Sequence, residues 1–121
     1  MNKMILVVDD ESDSRAVLKT YLETRGFDVC EAEDGYEAVE KALEERPDLV
    51  IMDMAMPLVD GINSTRTMRQ HDELRKTPII ALTGFGKFYT PRALDAGCTE
   101  VLSKPIDFVK LGPIVKKHLG H

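Results

Sequence analysis

Cysteine is scarce in this chain of 121 residues: Cys30 and Cys98 are all it has. They form no C-x-x-C pair and stand beside no histidine cluster, which argues against a zinc site. The three histidines, His71, His118 and His121, are as scattered. They read as plain surface residues and not as ligands or triad members. Long apolar runs are missing too. The run Met4 to Val8 stops at Asp9-Asp10, far short of a membrane span or a signal-peptide core. Positive charge is not in excess either. A formal charge of −5 argues against direct nucleic-acid binding, which needs a basic footprint, and suits a soluble cytoplasmic protein. No linker, low-complexity stretch or internal repeat divides the chain, so one domain over 1–121 is expected.

What the chain does have is a dense apolar strand. Leu49-Val50-Ile51-Met52 follows Asp48 and runs into Asp53, with Pro57 and Asp60-Gly61 beyond. Four consecutive apolar residues are too few for a helix and suit a strand buried on both faces. Asp53 therefore stands where a buried strand gives way to a loop. An unpaired carboxylate is costly there, and in open parallel sheets that edge is where ligands bind.

The rest of the chain repeats one unit. Met4–Val8 reads as a first strand, followed by Asp9-Asp10-Glu11 and a helix for which Ser12, Asp13 and Ser14 are candidate N-caps. Residues 27–32 form a second strand; a helix then carries Ala38, Val39, Ala42 and Leu43 on one face and stops before Pro47. After the Asp53 strand come a polar helix from Gly61 to His71, a strand from Pro78 to Thr83, and a short helix from Pro91 to Ala96. A fifth strand starts at Val101 and ends at Ser103-Lys104-Pro105, and a last helix covers Asp107 to Leu119. This βα alternation implies a doubly wound α/β fold: five parallel strands with helices on both faces.

Four of the strand ends carry polar residues that packing does not require: Asp9 and Asp10, Asp53, Thr83 and Lys104. In a parallel sheet all of them share one edge. Crowded carboxylates repel, each pair by on the order of 4 kcal/mol at about 4 Å and an effective dielectric near 20. A divalent cation removes that penalty, and hard oxygen donors without Cys or His favour Mg²⁺. With the Lys104 ammonium and the Thr83 hydroxyl, the set makes a phosphoryl site with Asp53 as candidate nucleophile.

This set, together with Pro57, Gly61 and Lys104-Pro105, resembles the CheY-like receiver domain of two-component response regulators, over essentially the whole chain. The resemblance implies the flavodoxin-like (βα)5 strand order 2-1-3-4-5. It implies that Asp53 accepts a phosphoryl group from a sensor histidine kinase or histidine phosphotransfer protein. It makes Asp9, Asp10, Asp53 and the main-chain carbonyl of Ala55 the Mg²⁺ site, and assigns phosphoryl oxygens to Thr83 and Lys104. It implies a cis Lys104–Pro105 peptide. The chain would then be a signalling switch and not an enzyme in the ordinary sense, although it would catalyse its own phosphorylation and dephosphorylation. It would act on a downstream target or fused output domain through the face of the fourth helix, fifth strand and fifth helix.

One position departs from the family pattern. Val101 stands where most receivers carry Tyr or Phe, with Phe85, Phe88 and Tyr89 in the loop after the fourth strand as possible substitutes or as simple packing. That departure leaves one alternative: a phosphorylation-independent, receiver-like interaction or scaffold module. A haloacid-dehalogenase-type phosphatase would need a second Asp at Ala55, and a flavodoxin-like FMN carrier would need a phosphate loop in place of Asp9-Asp10-Glu11. Ala55 and Phe85 flank the expected phosphoryl position. Exchanging them, as Ala55→Asn and Phe85→Glu, is expected to change the rate of phosphate loss from Asp53; unchanged rates would remove both from the account.

Overall fold

The apolar run after Asp48 forms the central strand of a five-stranded parallel sheet. The computed structural model describes residues 2–54, 60–84 and 86–120, with backbone alone at 86–88. Strands β1 (Met4–Val8), β2 (Asp28–Ala32), β3 (Leu49–Asp53), β4 (Ile79–Thr83) and β5 (Glu100–Ser103) lie in the order β2-β1-β3-β4-β5. Between and after them come α1 (Ser12–Thr24), α2 (Gly35–Glu45), α3 (Gly61–Arg69), α4 (Gly86–Ala96) and α5 (Phe108–Leu119). A short 3₁₀ turn, Asp72–Leu74, precedes β4. The expected architecture and strand order are observed.

Alternation along the strands divides the core into two layers. Leu6, Val8, Val50, Met52, Ile79 and Ala81 pack with residues of α2, α3 and α4. Ile5, Val7, Leu49, Ile51, Ile80 and Leu82 pack with Leu18 and Leu22 of α1 and Leu111 and Val115 of α5. Both faces of β1, β3 and β4 are thus covered, which is why their sequences are near-continuous apolar runs. The helices on the first face present alanines, Ala38 and Ala42 on α2 and Ala93 and Ala96 on α4. Small side chains let them approach the sheet closely.

Helix ends follow local chemistry. Asp34 caps α2 by accepting from the Glu37 N–H at 2.8 Å, and Asp60 caps α3 from Asn63 at 2.9 Å. At α1 the expected caps are not used. Glu11 is the N-cap residue with no side-chain cap bond, and the Ser14 hydroxyl donates to its carboxylate at 2.7 Å. Gly26, at φ +92°, follows α1 in the left-handed region. The fourth helix is longer than expected. Proline favours the first helical turn, yet α4 starts at Gly86 and carries Pro91 inside it. Tyr89 consequently lies in α4 and not in a loop.

Cys30 and Cys98 are both free. Cys30 lies on the edge strand β2, and burial pushes its thiol up to about 11. His118 is not a plain surface residue: its side chain is mostly buried and Nε2 lies 2.7 Å from the Glu100 carboxylate.

Ile51 is fully buried at the centre of β3. Ile51→Ala is expected to lower unfolding free energy by about 2–5 kcal/mol, read as a lower urea midpoint at unchanged m-value.

Candidate functional site

The carboxyl ends of β1, β3, β4 and β5 meet at one edge of the sheet. β1 ends at Val8 and hands the chain to Asp9, whose N–H donates to the Ala32 carbonyl at 3.1 Å. Its carboxylate accepts the Glu11 N–H at 2.9 Å. Asp53 closes β3, in register with Leu82 of β4. The next N–H, of Met54, donates to the Leu82 carbonyl at 2.9 Å. Thr83 closes β4 in register with Ser103, and its carbonyl accepts the Lys104 N–H at 2.8 Å. The Lys104–Pro105 peptide is cis, as expected.

These placements gather the expected carboxylates. Oxygens of Asp9, Asp10 and Asp53 all lie within 4.8 Å of one another. Asp9 and Asp53 are buried, at 5% and 3% exposure, whereas Asp10 is exposed. The Lys104 ammonium lies 2.7 Å from Asp53 Oδ2. Thr83, at 1% exposure, is buried beside them. Ala55, Pro57 and Phe85 lie outside the described residues, as does the side chain of Phe88.

Three carboxylates against one ammonium leave two negative charges at the cluster. A single dication cancels them. The donors are all hard oxygens, so the set suits Mg²⁺ better than zinc or copper.

The electrostatics show what the cluster costs without such an ion. Burial first, then the charges of Asp53 and Asp10, push the Asp9 carboxyl above its ordinary value; the Glu11 N–H and Lys104 oppose them. Burial alone would lower Lys104. Its hydrogen bond to Asp53 and the charges of Asp53, Asp9 and Glu11 outweigh that and raise it.

Backbone packing brings the chain back to the strand end at Gly61. A Cβ there would lie 2.8 Å from the Asp53 carbonyl oxygen and 2.9 Å from Met54 Cα, so only glycine fits. Its N–H donates to the Met54 carbonyl at 3.2 Å. Alongside the cluster runs a groove of about 670 Å³, where Val17, Ile106 and Phe108 meet Asp9 and Lys104.

One residue of this edge has no signal in the sequence. Arg15, on α1, donates from Nη1 to the Asp9 carbonyl at 2.8 Å and from Nε to Glu31 at 3.0 Å. A lone arginine one turn into a helix looks like any solvated charge until β2 is placed beside it.

A family model described as the response regulator receiver domain matches residues 5–116. The polar-differentiation response regulator DivK of Brucella anthropi is 34% identical over 121 residues, 99% of this chain and 98% of that protein. Among solved structures, the receiver domain of the Pseudomonas aeruginosa sensor histidine kinase PA1611, with magnesium coordinated in its active-site cleft, superposes with a TM-score of 0.92. It is 32% identical, and the match covers 100% of both chains. The Vibrio cholerae chemotaxis protein CheY4 gives a TM-score of 0.91 at 29% identity, covering 98% of this chain and 100% of that one.

Ionised Asp9 is a liability to the metal-free fold. Its folded pKa lies above the unfolded value of 3.8, so the folded state holds the proton more tightly. Stability therefore falls as pH rises from about the unfolded value through the folded pKa, and the loss is complete above it. Asp9→Asn in EDTA at neutral pH is expected to raise unfolding free energy by on the order of a few kcal/mol, because it removes a buried charge and its repulsion from the neighbouring carboxylates. The gain should shrink as pH falls towards 3.8; a gain independent of pH would contradict this origin.

Proposed function

Because the chain belongs to the response regulator receiver domain family, we propose that Asp53 is the phosphoacceptor of a Mg²⁺-dependent signalling switch. The observation that carries this reading is the Lys104 ammonium 2.7 Å from Asp53 Oδ2, with the Asp9 and Asp10 carboxylates beside it. A structural carboxylate would be expected to have its charge matched. This one sits among further acids, arranged to be completed by a dication and an incoming phosphoryl group.

Asp9, Asp10 and Asp53, with the Ala55 carbonyl, would hold Mg²⁺. When bound, the ion supplies positive charge that lets an anionic carboxylate and an anionic phosphoryl group approach. Asp53 offers a carboxylate oxygen as nucleophile, oriented by the Lys104 bond to Oδ2. The bond from phosphorus to the donor's imidazole nitrogen breaks as the bond from phosphorus to the Asp53 oxygen forms, and the nitrogen keeps the electron pair. Lys104 follows the negative charge onto a phosphoryl oxygen, and the Thr83 hydroxyl donates to another. Burial of Asp53 and Thr83 limits water around the resulting acyl phosphate.

The donor is a phosphohistidine on a sensor histidine kinase or a histidine phosphotransfer protein. The groove where Val17, Ile106 and Phe108 meet Asp9 and Lys104 would seat its histidine-bearing surface. The family is a signalling domain and not a conventional enzyme, and self-catalysed phosphorylation and dephosphorylation belong to this proposal. So do an extent of 1–121 for the receiver and a cytoplasmic location. Among the described residues no helix is long and apolar enough to cross a membrane.

Phosphorylation adds about −1.5 to −2 charges at the edge of the sheet. Thr83 shares the alternation of Ile79 and Ala81, and Ala81 is in register with Val101. Val101 and Tyr89 pack against the same cluster as Ala93 and Ala96 of α4. Movement of Thr83 towards new phosphoryl oxygens thus acts on packing that reaches α4 and β5, the output side. Val101 is the observation favouring the second reading, an interaction module indifferent to phosphorylation, because a valine has no ring to reorient.

Labelling with ³²P-acetyl phosphate tests the phosphoacceptor. Incorporation is expected in wild type with Mg²⁺ and is expected to vanish with EDTA or in Asp53→Asn; undiminished labelling of the variant would refute the assignment. Beryllofluoride with Mg²⁺ separates the two readings. Amide shifts that extend to α4 and α5 are expected for the switch, and shifts confined to the site would favour the module.

A further inference from the structure

The clearest unassigned feature is the side chain of Arg15. Its side chain is 12% exposed, and its guanidinium is shared among three partners. Nη1 donates to the Asp9 main-chain carbonyl at 2.8 Å, Nε to Glu31 Oε1 at 3.0 Å, and Nη2 lies 3.6 Å from Glu33. Lys19 reaches the other Glu31 oxygen at 3.5 Å. The cation is therefore neutralised on the β2 side, and its bond on the acidic side goes to a carbonyl and not to a carboxylate. What it does there is geometric.

The geometry bears on Asp10. A carbonyl and the following N–H belong to one planar peptide unit. Holding the Asp9 carbonyl therefore sets the orientation of the peptide that leads into Asp10. The other anchors of this turn all act on Asp9 or beyond it: the Ala32 carbonyl on its N–H, and the Glu11 N–H on its carboxylate. Among the described residues the Asp10 carboxylate itself accepts no hydrogen bond, and Asp10 is exposed. Its position within 4.8 Å of the other two carboxylates is left to the backbone.

We propose that Arg15 is a positioning residue for the dication site: clamped by Glu31, it fixes the Asp9–Asp10 peptide so that Asp10 is presented to Mg²⁺. The inference rests on the reading of the acidic cluster as a Mg²⁺ site and adds a link from that site to the β2 edge of the sheet. Arginine suits the task because its planar fork serves a carbonyl and a carboxylate at once, which a lysine ammonium on a flexible stem does not.

The test is calorimetric titration of the full chain with Mg²⁺ alone at fixed ionic strength, with melting of each variant in EDTA. Removing a cation near an anionic site should, by charge alone, tighten binding of a dication. Positioning makes the opposite prediction. Arg15→Gln is expected to weaken Mg²⁺ binding about tenfold or more, the range seen when outer-sphere partners of metal ligands are lost. Arg15→Lys, which keeps the charge and is the milder change for folding, is expected to lie between that variant and wild type. Arg75→Gln, which removes an exposed ion pair with Asp72, is expected to leave the affinity within about twofold. Unchanged or tighter binding in either Arg15 variant, or equal weakening in Arg75→Gln, would overturn the inference while leaving the Mg²⁺ site in place. Failure of the wild-type chain to bind Mg²⁺ would instead overturn the reading beneath it.

Discussion

The structure turns on a cluster of three carboxylates at one end of the sheet that a single ammonium does not balance. Asp53 ends the central strand at 3% exposure, with one ammonium at 2.7 Å and two further carboxylates close by. Burying an ionised group is expensive unless it is paired and hydrogen-bonded. Here the pairing is deliberately incomplete, since Lys104 meets one of three acids. Under the proposed function, the remaining negative charge would drive the uptake of a dication. Stability is given up at this edge for a function that needs charge to arrive and leave, as is common at active sites.

Topology makes that compromise possible. Because β1 and β3 are neighbours, their consecutive strand ends bring Asp9, Asp10 and Asp53 together without any distortion of the sheet. Lys104 follows β5, two strands away from β3, which is roughly 10 Å across the sheet. A long side chain is needed to close such a gap, and lysine closes it over the end of β4. Thr83 occupies the strand between them. The phosphoryl group would thus be surrounded by four strand ends that are rigid because both faces of the sheet are packed. At the start of α3, Gly61 comes close to the Asp53 carbonyl and Met54 Cα, and the Asp60 carboxylate caps the helix.

The same packing gives the site an outlet. The layer containing Ala81, Val101 and Tyr89 also contains Ala93 and Ala96 of α4, so a displacement at Thr83 meets close-packed neighbours rather than solvent. Position 101 is a valine, and among the described residues Tyr89, contributed by α4 and not by the strand, packs against the same cluster. At the opposite end of β5 from the site, Glu100 is bound by Lys117 and His118 of α5. β5 is therefore joined to α5 by charged groups as well as by apolar packing.

Much of this was legible in the amino-acid order because its causes are local. Apolar runs of the right length become strands buried on both faces, and parallel strands place every strand-end residue on one edge. That is enough for the fold class, the strand positions and the set Asp9, Asp10, Asp53, Thr83 and Lys104, while the strand order followed from the resemblance to the receiver family. Other features depended on distant partners, and no window of sequence contains them. Pro91 marks a helix start by its own preference, but the surrounding structure begins α4 upstream of it. Ser12, Asp13 and Ser14 are all competent caps, yet the turn from Asp9 puts Glu11 at that position. His118 is surface-like in sequence and mostly buried once Glu100 lies opposite. Arg15 acquires its role only when folding places the Asp9 carbonyl and Glu31 around it. Local preference and periodicity determined which elements form; packing between elements decided where they begin, which charges meet and which backbone groups they hold.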